Sequence, residues 1–510
     1  MKKKYYITTP IYYPNNIPHI GSVYTSVCCD LLARFKRLDG YEVKFLTGTD
    51  EHGQKVEQAA KDNGSSPQEF VDKISENFRK ILSVYNLSCD DFIRTTEVRH
   101  KKGAQAFWSK LIEKDEIYLG HYAGWYSVRD ETFYTESELV NGKAPTGAPV
   151  EWVEESSYFF RLSKWQDKLL KFYEDHPHFI GPESRRNEVI SFVKSGLKDI
   201  SVSRTTFEWG IPVPNDPSHI MYVWIDALTN YITALGYPDT KAQDFIHFWP
   251  ADLHMVGKDI LRFHAVFWPA FLMAADLPPP KKVFAHGWWT VEGQKMSKSL
   301  GNVVDPYALA EKYGSDVVRY FLIRGVSFGS DGDFSENALV QRANTQLSNE
   351  FGNLAQRTLS MIHKNCDGKI PTLLQEFSDE DHTLLTQAQS LLDLSREYLD
   401  KQEHHKYADA LWNVVWAANK YVDAQAPWNL KKTDVHRMEI VLYTVIETLR
   451  YLAILLQPMI PQTAEKLLDA LSVPPEERTF SHLQSTFCLK QNVTLPPPTP
   501  LFPRIEQEKS

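Results

Sequence analysis

The spacing of apolar and polar residues changes several times along this chain, and each change marks an element. Lys4-Tyr5-Tyr6-Ile7-Thr8-Thr9 reads as a strand, and the Pro/Asn-rich stretch from Pro10 to Pro18 as a turn. A helical period then runs from about Ser22 through Val23, Val27, Leu31 and Phe35 to Gly40, where glycine can end it. Glu42-Val43-Lys44-Phe45-Leu46 reads as the next strand. Strand and helix signals alternate to about residue 115, which predicts the first half of a doubly wound parallel sheet. From 116 to 215 the chain turns to aromatics and turn clusters (Trp125-Tyr126, Asn141-Gly142-Lys143, Ala144-Pro145-Thr146-Gly147), predicting an insertion that splits the sheet. The sheet is expected to resume over 216–280, around His219 to Ala275, with Pro278-Pro279-Pro280 leading into a segment 281–343. Over 344–480 the period is helical: Tyr407, Leu411, Val414, Ala418 and Tyr421, then Val441, Val445, Leu449, Leu452 and Leu456. A C-terminal tail follows over 481–510, and its Pro-rich stretch Leu495-Pro496-Pro497-Pro498-Thr499-Pro500 is expected to be extended or disordered. The fold class is therefore α/β: a split parallel sheet followed by an α-helical bundle.

At 510 residues the chain holds several domains, and no apolar run approaches the length of a membrane span. The start, Met1-Lys2-Lys3-Lys4-Tyr5, passes directly into the first strand and is expected to leave no room for a targeting peptide. Cys28, Cys29, Cys89, Cys366 and Cys488 form no CxxC pair, which points to the reducing cytoplasm. The formal net charge of −9 neither supports nor excludes a nucleic-acid partner, because basic side chains act locally.

Two short motifs carry chemistry. Strand, tight loop and helix start around Pro18-His19-Ile20-Gly21 form an anion site: backbone N–H groups and the helix dipole face the ligand, His19 adds a donor, and Gly21 permits close approach. Far downstream, Lys295-Met296-Ser297-Lys298-Ser299 sets two lysines on a loop flanked by Gly293 and Gly301, suited to a phosphate whose charge rearranges. Each motif alone reads as an ordinary turn or solvated loop. Together they resemble the paired signatures of class I aminoacyl-tRNA synthetases, built on a Rossmann-like sheet. Thr8-Thr9-Pro10-Ile11-Tyr12-Tyr13, Thr47-Gly48-Thr49-Asp50-Glu51-His52-Gly53, Tyr222-Val223-Trp224-Ile225-Asp226-Ala227 and Gly257-Lys258-Asp259-Ile260 resemble the blocks of the methionyl-tRNA synthetase family, in its order. Leu354-Ala355-Gln356-Arg357 and Ala426-Pro427-Trp428 extend the resemblance, which covers roughly residues 4 to 470.

That resemblance implies activation of methionine by ATP, with release of pyrophosphate, and transfer to the 3′ end of tRNA(Met), including the initiator tRNA. It implies His19, Lys295 and Lys298 as catalytic, with Gly21, Ser22, Gly257 and Asp259 joining them around ATP. Asp259 is expected on the ribose. Ser22 stands where the family has a second histidine; serine can cap the helix or donate to phosphate but carries no imidazolium charge. His52 is expected near the nucleotide. Ile11, Tyr13, Trp224, Ala227, Leu228, Tyr231, Ile260 and His264 match the family's methionine-lining positions, Asp50 matches its ammonium-binding carboxylate, and Tyr13 and His264 are expected to touch sulfur. Asn353, Arg357 and Trp428 match its anticodon readers. The six segments become, in order, the first half of a nucleotide-binding catalytic domain, a connective insertion, the second half, a stem-contact segment with the lysine loop, an anticodon-binding domain and a tail. Mg²⁺ is expected to arrive on ATP. A structural zinc is not expected, because Ser127 and Asp130 stand where many family members place a CxxC pair, and His121 and Asp130 alone cannot complete a tetrahedral site. Packing of Trp125, Tyr126, Phe133 and Tyr134 is expected to hold the insertion instead. A monomer is expected, since no appended oligonucleotide-binding barrel fits after residue 480. Two rival readings stay open on sequence: a non-catalytic tRNA-binding relative, and a class I synthetase for another amino acid.

Overall fold

In the computed structural model, which describes residues 2–14, 18–130, 132–296 and 302–506, the central layer is a six-stranded, wholly parallel sheet. Its first strands are β1 (Lys4–Thr8), β2 (Glu42–Thr49) and β3 (Asp91–Arg94). The insertion contributes β4 (Ile117–Ser127), β5 (Thr132–Tyr134) and β6 (Glu151–Phe160), followed by the short strands β7 (Ile180–Gly181) and β8 (Ile200–Ser201). After these come β9 (Leu253–Gly257) and β10 (Val283–His286). The central order is β3-β2-β1-β9-β10-β7: β2 and β3 build outward on one side of β1, β9 and β10 build outward on the other, and the earlier strand β7 closes that edge. That reversal between β1 and β9 opens a crevice beyond the carboxyl ends of the strands.

Helix α1 (Ile20–Leu38) covers this sheet, burying Val23, Val27, Leu31 and Phe35 as the period requires. Gly40 beyond it takes φ of +82°, a left-handed residue just past the helix end. The insertion is an antiparallel sheet of order β5-β4-β6-β8. Two placements differ from the sequence expectation. Ile180–Gly181, within 116–215, rejoins the central sheet beside β10. The strand Asp216–Met221, read as the sheet's resumption, instead pairs antiparallel with Pro212–Val213 and Ser203–Arg204. Strand β10 itself falls in the 281–343 segment.

Helix α2 (Ser315–Arg324) leads into the helical half: α3 (Asn353–Asn365), α4 (Asp379–Asp400), α5 (His404–Gln425), α6 (Pro427–Thr433), α7 (Val435–Leu456) and α8 (Pro461–Ala470). Helix α7 is the hub, buried continuously from Ile440 to Leu456. The two halves meet at Arg319 of α2, which is 0% exposed. Its guanidinium pairs with Asp30 of α1 at 2.7 Å and donates to the carbonyls of Tyr85, Pro458 and Met459 at 2.8–3.1 Å. Burial alone would raise the Asp30 pKa, but Arg319 and Arg34 hold it below the ordinary range. The tail is extended, as read, but packed: Leu495 is buried, and the backbone around 492–495 bonds Gly368 and Ile370. Prolines lack donors, so the intervening residues and the prolines' own carbonyls make the bonds, as Pro496 O does with His363.

Candidate active site

A cavity of ≈ 580 Å³ opens at the β1/β9 reversal, walled by the loop after β1, the start of α1, and the ends of β2, β9 and β10. On one wall His19 is the N-cap of α1, extended at φ −114° and ψ 169°. Its Nδ1 accepts the backbone N–H of Gly21 at 3.0 Å. Since Nδ1 accepts, the neutral ring carries its proton on Nε2, the nitrogen left to donate to a ligand. Desolvation keeps the His19 pKa below the ordinary histidine range, against the opposing charge of Asp259. A Cβ on Gly21 would stand 2.8 Å from His19 Cε1, so only glycine lets the ring fold over the helix start. Ser22 lines the cavity from the first turn but does not cap α1. The capping expectation is corrected because the cap lies three residues earlier, where the backbone is extended.

Gly257 and Asp259 stand opposite. A Cβ on Gly257 would approach Asp259 Oδ1 to 2.6 Å, so glycine makes room for that carboxylate. Asp259 Oδ1 also accepts Trp288 Nε1–H at 3.0 Å. Between the walls His286 donates from Nδ1 to the Gly287 carbonyl at 2.8 Å and accepts the Thr25 hydroxyl at Nε2, 2.7 Å. Burial keeps it neutral.

The other end of the cavity is lined by Ile11, Tyr13, Asp50, Trp224, Ala227, Tyr231, Ile260 and His264. Trp224 stacks on Phe263 at 3.7 Å, fixing the indole plane. His264 is buried and its pKa falls to about 4 through desolvation. Its Nδ1–H donates to the Ile260 carbonyl at 2.9 Å, and Nε2 accepts the Tyr231 hydroxyl at 2.7 Å. Both nitrogens are thus engaged, and the expected polar contact from His264 to a thioether does not fit this arrangement; the ring orients Tyr231. Among the described residues, Leu228 and His52 stand behind the wall. Leu228 packs in the core. His52 Nδ1 lies 2.7 Å from Asp226, which also receives His100 at 2.7 Å. Burial would raise the Asp226 carboxyl, yet the two imidazoles bring it to about 2. His52 is therefore tied into this buried triad and does not line the cavity.

Lys295 ends a hairpin, β11 (Trp289–Val291) and β12 (Gln294–Lys295), and the next residue, Met296, lines the cavity. Lys298 lies outside the described residues. Far from the cleft in sequence, Asn353 and Arg357 sit one turn apart on α3. The Arg357 guanidinium meets Asp423 and Asn419 of α5 at 3.1 Å each, and Trp428 on α6 is 41% exposed. In the insertion, Trp125 meets Trp152 at 5.3 Å and Tyr126 meets Phe133 at 4.7 Å. Asp130 also accepts the hydroxyls of Thr146 and Tyr134, and its N–H donates to Ser127 Oγ at 3.2 Å. Among the described residues no group of three or more His, Cys, Asp or Glu could hold a metal ion, and no helix is long and apolar enough to cross a membrane.

Several cavity residues escaped the sequence reading: Thr25, Asn230, His286 and Trp288. The signal for one pair was present. Val283-Phe284-Ala285-His286 is a buried, mostly apolar strand followed at once by Gly287, much as β9 closes on Gly257.

Residues 5–149 and 136–359 match the family described as tRNA synthetases class I (M), and residues 372–510 match the anticodon binding domain of methionyl tRNA ligase. The chain belongs to the class I methionyl-tRNA synthetases. A methionine–tRNA ligase of Rickettsia felis is 59% identical over 509 residues, covering 99% of both chains, and one of Brucella suis is 55% identical over 508 residues, covering 99% of this chain and 98% of its own. Among solved methionyl-tRNA synthetases, that of Mycobacterium tuberculosis in complex with methionyl-adenylate superposes with a TM-score of 0.96 at 51% identity, covering 98% of this chain and 100% of that one. Its free form gives 0.90 at 48% identity.

Proposed function

We propose that this methionyl-tRNA synthetase, a methionine–tRNA ligase, carries out both half-reactions in the one cavity, with roles divided between its two walls. The observation that carries the reading is the joining of those walls. An acidic and aromatic end (Asp50, Trp224, Tyr231) opens directly into an end built from a helix N-terminus (His19, Gly21, Ser22) and a carboxylate, Asp259. Methionine's ammonium on Asp50 and its side chain among Ile11, Tyr13, Trp224, Ala227, Tyr231 and Ile260 leave its carboxylate facing the phosphates. His264 lines that pocket and holds Tyr231, and Leu228 supports it from the core.

A carboxylate oxygen then attacks the α-phosphorus, and the bond to the β-phosphate oxygen breaks, releasing pyrophosphate. Little covalent work is needed, so positioning and charge stabilisation dominate. His19 donates from Nε2 to a phosphate oxygen, the ribose hydroxyls meet Asp259, Gly257 gives that carboxylate room, and Lys295 and Lys298 stabilise the leaving charge. Mg²⁺ arrives as part of the nucleotide substrate. In the second step a hydroxyl of the tRNA's terminal adenosine attacks the carbonyl carbon and AMP departs. Asn353 and Arg357 read anticodon base edges, and Trp428 supplies a stacking surface for tRNA(Met) and its initiator form. The six-segment division, a monomeric state, a cytoplasmic location and the lack of a structural zinc belong to the same reading.

ATP–pyrophosphate exchange across the amino acids tests it. Methionine should support exchange, homocysteine weakly, leucine and isoleucine little; equal exchange with leucine overturns the reading. Lys298→Ala should lower kcat of exchange by on the order of 10²-fold, with little change in methionine KM. A pure KM effect would make the loop a binding element only.

A further inference from the structure

The hairpin that delivers Lys295 is anchored from outside the parallel sheet. Strand β11 lies between β12 and a third strand, β13 (Gly332–Phe334), so Lys295, Thr290 and Asp333 occupy one rung. Glu292 and Gly293 at the tip both have positive φ, +50° and +74°, as a tight two-residue turn requires. Asp333 reaches that turn. Its Oδ1 accepts the Thr290 hydroxyl at 2.6 Å and the Gly293 N–H at 2.9 Å.

Two residues earlier, Asp331 holds different partners. It accepts the backbone N–H of Trp288 at 2.8 Å and the Lys258 ammonium at 2.7 and 2.8 Å. Lys258 also lies 4.2 Å from the centre of the Trp288 ring, whose N–H holds Asp259. The approach is tight: a Cβ on Gly287 would fall 2.2 Å from the Ser330 carbonyl oxygen.

We infer that Asp331 and Asp333 form a strut joining the two halves of the nucleotide site: Asp331 positions the Lys258–Asp259–Trp288 group on the ribose side, and Asp333 positions the lysine hairpin on the phosphate side. Neither carboxylate lines the cavity. The inference rests on the reading of the cleft as a nucleotide site. It assigns positioning roles to two residues outside the recognised motifs, and it predicts different kinetic signatures two positions apart. An error on the ribose side weakens ground-state binding of ATP. An error on the hairpin side misplaces charge that matters most in the transition state.

The test is steady-state ATP–pyrophosphate exchange with the full chain, with thermal melting as a folding control. Asp333→Ala should lower kcat about tenfold with methionine KM within about twofold, and Asp331→Ala should raise the KM for ATP about tenfold with kcat little changed. Asp333→Asn should recover most of kcat, because its carboxamide oxygen can accept both bonds. Thr290→Val, which removes one of those bonds from the opposite side, should lower kcat several-fold and serves where Asp333→Ala does not fold. Wild-type kcat in Thr290→Val and Asp333→Ala, or the same signature at 331 and 333, overturns the inference. Lys298→Ala measured alongside separates the failures: if it too leaves kcat unchanged, the reading of the lysine loop has failed, and if it alone lowers kcat, only the strut has failed.

Discussion

The cleft and the helical body bury polar groups in opposite ways. In the α/β half, polar side chains are brought inward and paired: Thr8 with His254, Thr25 with His286, Tyr231 with His264, and Asp226 between His52 and His100. In the helical half the interior along α7 is mainly apolar, with the paired Glu447 and Arg450 as its charged exception, and the proposed recognition residues lie toward outer faces. A buried polar network fixes orientation but leaves little freedom, since each atom removed strands a partner. A helical bundle with its readers outside can change them without disturbing its core. The enzyme's chemistry and its tRNA reading should therefore fail separately.

The largest expected effect is at the point where the two regimes meet. Arg319 serves Asp30 in the α/β half and the carbonyls of Pro458 and Met459 in the helical half. Arg319→Ala should cost roughly 3–5 kcal/mol, because Asp30 is left as a buried charge with Arg34 as its one remaining cationic partner beside the Ser88 N–H and hydroxyl. Denaturant unfolding measures this, and a loss below about 1 kcal/mol would show that the junction is carried by apolar packing alone. Next in size, Trp428→Ala should weaken tRNA charging about 10- to 100-fold, the value of roughly 1–3 kcal/mol for one stacked base. Exchange, which needs no tRNA, should stay nearly intact. Collapse of both activities would show that Trp428 serves packing rather than tRNA and erase the contrast between the halves.

What could be read from the sequence divides along the same line. Strands β1 and β2 and helices α5 and α7 follow their residue periods closely, because each buries one continuous face or its whole length. Ile180–Gly181 could not be read, since two residues carry no period. The strand near His219 was visible as a strand, but its partners were not: alternation specifies a face and not a neighbour. Motif blocks located most of the cavity wall, whereas His264 shows the limit of residue-by-residue matching. Its nitrogens are committed by Ile260, four residues before it, and by Tyr231, 33 before it, and only the folded chain brings the three together.

A smaller effect follows from the buried histidines. Desolvation lowers His264 to about 4 and, with His405 nearby, His404 to about 3. An unfolded histidine titrates near 6.5, so between that pH and the folded value the unfolded chain binds the extra proton. The stabilisation is complete above about pH 6.5 and is lost as pH falls toward 4. Each such histidine adds up to about 1.4 kcal/mol per pH unit to the slope. Unfolding free energies at pH 7, 6 and 5 should decline, and His404→Phe, which keeps an aromatic ring where the imidazole meets Phe328 at 4.0 Å but removes the titrating group, should flatten the decline without altering exchange. An unchanged slope would assign the acid sensitivity elsewhere.

The smallest effect lies at the tip of the insertion, where the two ways of burying polar groups meet on a small scale. Aromatic pairs join the strands, while Ser127, Tyr134 and Thr146 all bond Asp130, and Ser127 and Asp130 are the positions at which the family resemblance would place a CxxC pair. The Asp130 carboxyl sits below its ordinary range because those hydroxyls and Arg129 outweigh its partial burial. Hydroxyls and one carboxylate already satisfied in this way make a poor zinc site, which needs four thiolate, imidazole or carboxylate ligands in tetrahedral array. Asp130→Ala removes the shared acceptor and should cost about 1 kcal/mol, read as faster proteolysis between residues 128 and 148, with exchange unchanged. Purified protein should carry substoichiometric zinc and keep full exchange after exhaustive chelation once Mg²⁺ is restored. One tightly bound zinc per chain, or activity that only zinc restores, would show that the hydroxyl clasp gives way to a metal and that the insertion is held as in its zinc-bearing relatives.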